Sequence, residues 1–151
     1  MSKFSMRSIG VVRSDFREAE AIPKGLGAQH TAEGVLEIDA ELEAGLQDIE
    51  GFSHLFVLWV FHRAEGFELV GIPPTDDRPH GVFSTRSPRR PNSIGLTVVE
   101  LLGREGSSLR VRGVDMLDGT PVLDIKPYLS NVPPDSIRRG WLAEAEARRK
   151  G

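Results

Sequence analysis

Residues 54–62 read HLFVLWVFH, a run of seven apolar side chains with a histidine at each end. An unbroken apolar run of this length is typical of a strand that is covered on both faces. The run therefore predicts a central β-strand. Because a chain of 151 residues has few elements that could cover both faces, we expect a second copy of the chain to supply part of the cover, in a two-fold homodimer.

Five more segments have the β-branched composition or the alternating pattern of strands. The clearest is 109–117 (LRVRGVDML), in which Leu109, Val111 and Asp115 fall on one face. The pair Asp118-Gly119 follows this segment and predicts a type I′ hairpin turn into the next strand. The six predicted strands are residues 8–13, 34–39, 54–62, 94–102, 109–117 and 121–126.

Helical spacing is found in two places. Residues 40–49 predict a short helix, and residues 135–150 predict a longer one with three apolar anchors, Ile137, Trp141 and Leu142. The segments 15–27 and 64–81 are polar and contain glycine and proline, so they predict loops. The sequence thus predicts a single domain with a mainly β fold, a sheet or a barrel over residues 1–134, and with the C-terminal helix of residues 135–151 in the same domain.

Composition excludes several kinds of site. The chain has no cysteine, which rules out disulfides and thiolate chemistry. Its four histidines show no metal-ligand spacing, and the Walker and Rossmann glycine patterns are absent, so we expect no metal and no Rossmann-type nucleotide site. The N-terminus has no signal-peptide core, and the longest apolar run is far shorter than the roughly 20 residues of a membrane span. We therefore expect a cytoplasmic protein without a membrane partner.

The arginine loop, residues 84–95 (STRSPRRPNSIG), places three arginines and two prolines between two predicted strands. The prolines restrict the residues before them, and a stiff loop loses less entropy on binding. Guanidinium groups held in place suit carboxylates and phosphates, so the loop favours binding of a small anionic metabolite or an RNA phosphate. The alternative is that Arg86, Arg89 and Arg90 pair with acidic residues elsewhere in a chain whose net charge is −3.

Two further sets of polar residues are candidates for a site. Asp124 and Lys126 lie two residues apart in the last predicted strand and therefore point to the same face, about 7 Å apart. They could line a pocket, but an ordinary surface ion pair is the simpler interpretation. His62 ends the apolar run and is a candidate ligand contact, for which a structural role is an equally good explanation.

Four segments in the same order carry a resemblance to a known family. They are SIGVVRS (8–14), GFSHLFVLWVFH (51–62), GVFSTRSPRRPNSIGLTVVEL (81–101) and DGTPVLDIKPYL (118–129). Together they cover most of residues 7–129 and resemble the TsaA-like, or TrmO-type, family of tRNA adenosine methyltransferases. The resemblance implies a small β-barrel unlike the Rossmann-type methyltransferases, S-adenosyl-L-methionine as the cofactor, tRNA as the substrate and a homodimer.

The resemblance also implies a set of site residues. Asn92 and Gly95 would shape the turn of the arginine loop, and Arg86 and Arg89 would face RNA phosphate. Asp124, Lys126 and Tyr128 would complete the last motif, with Lys126 and Tyr128 near the substrate. The cofactor pocket would be built from Pro23, Lys24, Gly25, His62, Arg63, Arg90, Asn92, Asp118, Gly119, Thr120 and Pro121.

Three departures from the family pattern bear on these expectations. Ser93 stands where the family usually has a proline, and Gly25 stands where many members have a glutamine. Long bacterial members carry an extra C-terminal domain that helps to hold tRNA, and we expect this domain to be absent. The resemblance therefore supports methyl transfer more directly than it supports the identity of the acceptor.

The reaction implied is an in-line displacement by an acceptor nitrogen, without a covalent enzyme intermediate and without a metal. If the acceptor is a threonylcarbamoyl-modified adenosine beside the anticodon, its nitrogen is a poor nucleophile, and a base would help. Asp124 and Asp118 are the candidates for that base. Two other functions stay open, a methyltransferase acting on a small metabolite and a non-catalytic module that senses the cofactor or binds RNA.

Overall fold

A computed structural model describes residues 2–24 and 28–151, which form eight strands and one α-helix. The elements are β1 (Gly10–Arg13), β2 (Glu33–Ile38), β3 (His54–Val60), β4 (Val70–Gly71), β5 (His80–Gly81), β6 (Ile94–Glu105), β7 (Ser108–Arg112), β8 (Pro121–Pro127) and α1 (Gly140–Lys150). Six strands close a barrel in the order β1-β2-β7-β6-β3-β8, and every neighbouring pair is antiparallel. The predicted mainly β barrel with a C-terminal helix is confirmed.

Strand β3 has one face inside the barrel and one outside. Leu55, Val57 and Trp59 point inward and are buried, whereas Phe56 and Leu58 alternate with them and are only half-buried. The expectation that β3 is covered on both faces is therefore wrong for the single chain. A closed barrel covers only its interior, so an unbroken apolar run leaves every second side chain on the outer wall.

The outer wall beside β3 is also apolar. Val98, Leu96 and Ile94 of β6 pair in register with Phe56, Leu58 and Val60 of β3, and all three β6 side chains are more than a third exposed. Because paired residues of neighbouring strands share a face, these side chains form one surface. We call it the outer apolar face, and its six members are Phe56, Leu58, Val60, Ile94, Leu96 and Val98.

The predicted hairpin at Asp118-Gly119 is not formed. Strand β7 pairs with β2 and β6, and β8 pairs with β1 and β3, so β7 and β8 are not neighbours. β7 ends at Arg112, five residues earlier than the pattern indicated. The N–H of Thr120 donates to the Leu117 carbonyl (3.1 Å), and of the two central residues only Gly119 has a positive φ, +85°. A type I′ turn needs both, so this is a single β-turn within a longer connection.

The helical segments also differ from their predictions. Residues Ala40–Leu46 form a 3-10 helix, and α1 begins at Gly140, whose φ is +52°. Ile137 lies before the helix and is 56% exposed, so it is not an anchor. Leu142 is buried, as predicted, and so is Ala145. The predicted loop 64–81 contains the small β4–β5 sheet. No helix in the described ranges has both the length and the apolar character needed to cross a bilayer.

The helix is held by a polar cluster that we call the latch, consisting of Asp76, His80, Trp141 and Arg148. The Trp141 indole stacks on the His80 ring, with centroids 4.2 Å apart and an interplanar angle of 15°. His80 Nε2 lies 2.6 Å from one oxygen of Asp76, and the Arg148 guanidinium donates to the other. These contacts fix α1 against the β4–β5 segment.

Candidate functional site

The antiparallel order gathers three connections at one end of the barrel. β1, β3 and β7 end where β2, β6 and β8 begin, so residues 14–32, 61–93 and 113–120 meet at that end. We call it the loop end. Gly25 is outside the described residues. The other predicted site residues in these connections, or directly after them, are Pro23, Lys24, His62, Arg63, Arg86, Arg89, Arg90, Asn92, Asp118, Gly119, Thr120 and Pro121.

Three predicted residues lie elsewhere. Tyr128 follows β8, and its ring packs edge-on against Phe56 near the opposite end, about 23 Å along the strand from Pro121 at about 3.3 Å per residue. Asp124 and Lys126 lie on the outer wall, where they pair with Leu58 and Phe56 of β3. Their side chains form the ion pair favoured by the sequence, 3.2 Å between Lys126 Nζ and Asp124 Oδ2. Within one chain, these residues are not brought to the loop end.

Asp118 joins two of the three connections. Its Oδ1 accepts a hydrogen bond from the Ser14 N–H (3.1 Å), and its Oδ2 accepts one from the Arg17 guanidinium. Arg13 Nη1 lies 4.0 Å from the same Oδ2. Both oxygens of this carboxylate thus accept hydrogen bonds from the first connection, as in a structural tie between the two connections. Its catalytic role stays a prediction.

The turn that follows Asp118 is bonded to β1. The Gly119 N–H donates to the Val12 carbonyl (2.7 Å), and the Val12 N–H donates to the Thr120 carbonyl (2.8 Å). Thr120 is buried, and its hydroxyl donates to the Leu117 carbonyl (2.6 Å). The predicted cofactor residues of this turn are thus held rigidly against the barrel wall.

The arginines of the arginine loop have different surroundings. Arg89 Nη1 donates to Glu68 Oε1 (2.9 Å), an exposed ion pair of the kind that the alternative interpretation required. Arg90 Nη1 donates to two carbonyls of its own loop, Thr85 (3.0 Å) and Ser87 (3.2 Å). Arg86 is exposed and acts electrostatically on Asp115. The loop is therefore braced by hydrogen bonds from its own Arg90.

The resemblance implied that Gly95 shapes the turn of the arginine loop, but this glycine lies within a strand. It lies in β6 opposite Trp59, and a Cβ there would be 2.3 Å from the indole ring. The absence of a side chain therefore makes room for Trp59 inside the barrel. The role of this glycine is one of packing.

Three hydrogen-bonded side chains at the barrel mouth were not identified as a candidate site from the sequence. Trp59 Nε1 donates to Thr97 Oγ1 (3.0 Å), and Thr97 Oγ1 donates to Asp115 Oδ1 (2.6 Å). We call these three residues the Asp115 relay. Burial raises the pKa of the Asp115 carboxyl above its usual value. The alternation of residues 109–117 had placed Asp115 on the face of Leu109 and Val111, and a carboxylate on an apolar face was the signal that could have identified it.

A cleft borders this relay. It has a volume of about 230 Å³, and its lining includes Phe16, Pro23, Gln29, His30 and Val114. Within the described part of the chain, His30 Nδ1 is buried and has no hydrogen-bond partner, while its Nε2 lies 4.0 Å from Asp115 Oδ2. A buried nitrogen without a partner is costly unless a ligand or water satisfies it. A second cleft of about 330 Å³ lies between residues 74–77 and α1, beside the latch.

A closed antiparallel barrel with a polar mouth, a bordering cleft and three converging connections defines a small ligand-binding β-barrel. Comparison with known proteins gives the particular family. The family model of the tRNA-methyltransferase O N-terminal domain matches residues 11–133. This chain belongs to that family.

The relatives differ in the fraction of their own length that aligns with this chain. A protein of Archaeoglobus fulgidus named S-adenosyl-L-methionine-binding protein is 43% identical over 123 residues, covering 82% of this chain and 88% of that relative. A longer protein of the same organism is 47% identical, with 99% of this chain and 41% of the relative covered. The Escherichia coli tRNA (adenine(37)-N6)-methyltransferase is 41% identical over 143 residues, covering 85% of this chain and 59% of that enzyme.

A solved structure shares the fold. The crystal structure of TrmO superimposes with a TM-score of 0.74 at 39% sequence identity, covering 91% of this chain and 64% of that one. The chain thus spans 59% of the Escherichia coli enzyme, 64% of the TrmO chain and 88% of the short archaeal relative.

Proposed function

We propose that this protein binds S-adenosyl-L-methionine at the loop end of the barrel and transfers its methyl group to the N6 nitrogen of an adenosine in tRNA, next to the anticodon. The observation that carries the proposal is the similarity to the Escherichia coli tRNA (adenine(37)-N6)-methyltransferase over 85% of the chain. The loop end supports it, because the described residues that the family resemblance assigns to the cofactor lie there, together with a cleft and a histidine nitrogen that has no partner among the described residues.

The described residues fit such a cofactor. Pro23 and His30 line the cleft, and the rigid turn of Gly119 and Thr120 reaches the same end of the barrel. Among the described residues His30 Nδ1 has no hydrogen-bond partner, so it can bond a polar group of a ligand. When bound, S-adenosyl-L-methionine supplies a methyl group on a positively charged sulfur. The task of the chain is to hold donor and acceptor in line, to exclude water and to accept the proton of the acceptor nitrogen.

RNA would approach the exposed arginines beside the cleft. Arg86 is exposed, and Arg89 is engaged only in a half-exposed ion pair, which is worth little and is readily exchanged for a phosphate. A tRNA substrate would place the protein in the cytoplasm.

We also propose a homodimer built on the outer apolar face. Its β6 members Ile94, Leu96 and Val98 are 37–45% exposed, and neighbouring β3 residues extend the same surface. A contiguous apolar surface of this kind marks an interaction site, and a two-fold dimer would match it with itself. Asp124 and Lys126 border this face, so a dimer would bring both of them close to the partner subunit.

The test of the activity uses labelled S-adenosyl-L-methionine with total tRNA, followed by digestion of the RNA to nucleosides. Label in a methylated adenosine is the expected result. Binding of the cofactor without transfer to tRNA would instead support a sensor, and label in a small metabolite would support the other enzyme class. Arg90→Ala should loosen the arginine loop and weaken cofactor binding, whereas Arg86→Ala should weaken tRNA binding and reduce its salt dependence by about one charge.

The test of the dimer is sedimentation of Leu96→Glu. A charge in the centre of the outer apolar face should give a monomer at concentrations where the parent is a dimer. Ile72→Glu is the matched control, because Ile72 is 65% exposed but lies outside this face. A monomeric parent would refute the dimer proposal and leave the activity proposal standing.

A further inference from the structure

The carboxylates that the sequence offered as general bases are poorly placed for that task. Asp124 lies on the outer wall and is paired with Lys126, while Asp118 is compensated by two arginines. Asp124 is thus remote from the loop end, and both oxygens of Asp118 already accept hydrogen bonds within the protein. A base for the loop end therefore has to be sought elsewhere.

Asp115 has the environment that the other two lack. It lies in the connection between β7 and β8 at the barrel mouth, and its side chain is 24% exposed, so it is sheltered and still reachable. Thr97 donates a hydrogen bond to Oδ1, and His30 Nε2 lies 4.0 Å from Oδ2, which is too far for a hydrogen bond. Oδ2 therefore lies on the side of the carboxylate nearest His30, which lines the cleft.

We propose that Asp115 is the general base of methyl transfer, with Thr97 and Trp59 as positioning residues that fix its carboxylate. This inference rests on the proposed function. As the N6 lone pair of the acceptor forms the new nitrogen–carbon bond, the carbon–sulfur bond breaks and its electron pair goes to sulfur. The N6 proton goes to Asp115 Oδ2. The products are the methylated adenosine, the neutral thioether and a protonated Asp115, which returns its proton to solvent through the open side of the cleft.

The charges around Asp115 set the pH at which it can act. Burial raises its pKa, while the hydrogen bond from Thr97, the electrostatic effect of His30, a backbone hydrogen bond at Asp115 and the charge of Arg86 oppose the rise. The net effect is upward, so Asp115 should bind protons at a higher pH than an exposed aspartate does. Because only the ionised form accepts the N6 proton, the rate of methyl transfer should fall on the acid side of a midpoint above the ordinary 3.8.

The deciding variant is Asp115→Asn, measured by single turnover of preformed complexes with tRNA and by calorimetry with S-adenosyl-L-methionine alone. The amide keeps an acceptor for Thr97 but cannot take a proton. We expect the rate of transfer to fall by about a hundredfold or more, the acid limb of the pH profile to disappear, and the cofactor Kd to stay within about twofold of the parent value. Asp39→Asn is the control, since Asp39 is an exposed carboxylate at the opposite end of the barrel, and it should leave all three quantities unchanged.

Two results would overturn the proposal. One is an Asp115→Asn variant that transfers methyl groups at the parent rate, and the other is a loss of cofactor affinity that accounts for the whole loss of activity, which would make Asp115 a cofactor ligand. If the asparagine variant does not fold, Asp115→Glu decides. The longer carboxylate should lower the rate and move the acid limb, and an unchanged rate and profile would refute the base role. A parent protein without transfer activity would contradict the proposed function itself.

Thr97→Val tests the positioning role separately. The valine keeps the shape of threonine but donates nothing to Asp115 Oδ1. We expect the acid limb to move to higher pH, because a hydrogen bond that favours the ionised carboxylate is lost. A role limited to packing would lower stability and leave the position of the acid limb unchanged.

Discussion

Two aspartates are sheltered beside histidines in different parts of the molecule, Asp76 in the latch under α1 and Asp115 at the barrel mouth. Asp76 is 2% exposed, lies 2.6 Å from His80 Nε2 and also binds the Arg148 guanidinium. Its pKa is lowered below the ordinary value, chiefly by the hydrogen bond to His80 and further by Arg148. Asp115 is 4.0 Å from His30, has one hydrogen bond from Thr97, and its pKa is raised by burial.

Burial acts in the same direction on both carboxylates, so the partners decide the outcome. In the latch, the charge is satisfied within the protein, and the group can only stabilise the docking of the helix. At the barrel mouth, the Asp115 carboxylate is only partly compensated by its neighbours. It can therefore still accept a hydrogen bond or a proton from a substrate. The predictions that follow separate these two situations, beginning with the largest expected effect.

Gly95→Ala should have the largest effect on stability. A Cβ at this position would lie 2.3–2.6 Å from three atoms of the buried Trp59 indole, which begins the Asp115 relay. Overpacking of this kind should lower the free energy of unfolding by about 3 kcal/mol, measured in urea. Gly45→Ala is the control, because a Cβ there has no neighbour within 4 Å among the described residues, and it should unfold like the parent. Equal stability of the two variants would show that the indole is not confined by Gly95.

Trp141→Ala should have the next largest effect, confined to the latch. The variant loses the stack on His80 and the hydrogen bond from Nε1 to the Ser84 carbonyl (2.8 Å). We expect about 2 kcal/mol lower stability, with loss of helical circular dichroism, from an aromatic pair and one hydrogen bond. Trp141→Phe keeps the stack and should recover about half of the loss. A phenylalanine variant as unstable as the alanine variant would assign the docking to the hydrogen bond alone.

Asp76→Asn should have a smaller effect, and one that depends on pH. The folded pKa of Asp76 is lowered, so its contribution to stability is present above the unfolded value of about 3.8 and is lost as the pH falls through the lower folded pKa. The variant should melt below the parent at pH 7, and this difference should shrink as the solution is acidified below 3.8. Thermal unfolding of both proteins across this range measures it. A difference that is the same at every pH would show that the charge of Asp76 does not contribute.

Only part of the contrast between the two aspartates could be predicted from the sequence. Alternation along 109–117 put Asp115 on an apolar face, and the strands and barrel followed from the same pattern. The partners of the two carboxylates could not be predicted, because Arg148 is 72 positions away from Asp76 and Thr97 contacts Asp115 from strand β6, 18 positions away. The hairpin prediction failed for the same reason. The signal of Asp118-Gly119 is local, whereas the neighbours of β7 and β8 are set by closure of the barrel.

Asp115→Asn should have the smallest effect on stability and the opposite sign. The folded pKa of Asp115 is raised, so the folded state holds this proton more tightly than the unfolded state does. Below the unfolded value of 3.8 both states are protonated, and the parent loses stability as the pH rises from there through the folded pKa. The asparagine variant has no proton to lose. It should therefore match the parent in acid and become slightly more stable than the parent towards pH 7, in thermal unfolding without ligand. A variant less stable than the parent at pH 7 would mean that the ionised carboxylate is compensated like that of Asp76, and the barrel mouth would then be a second latch.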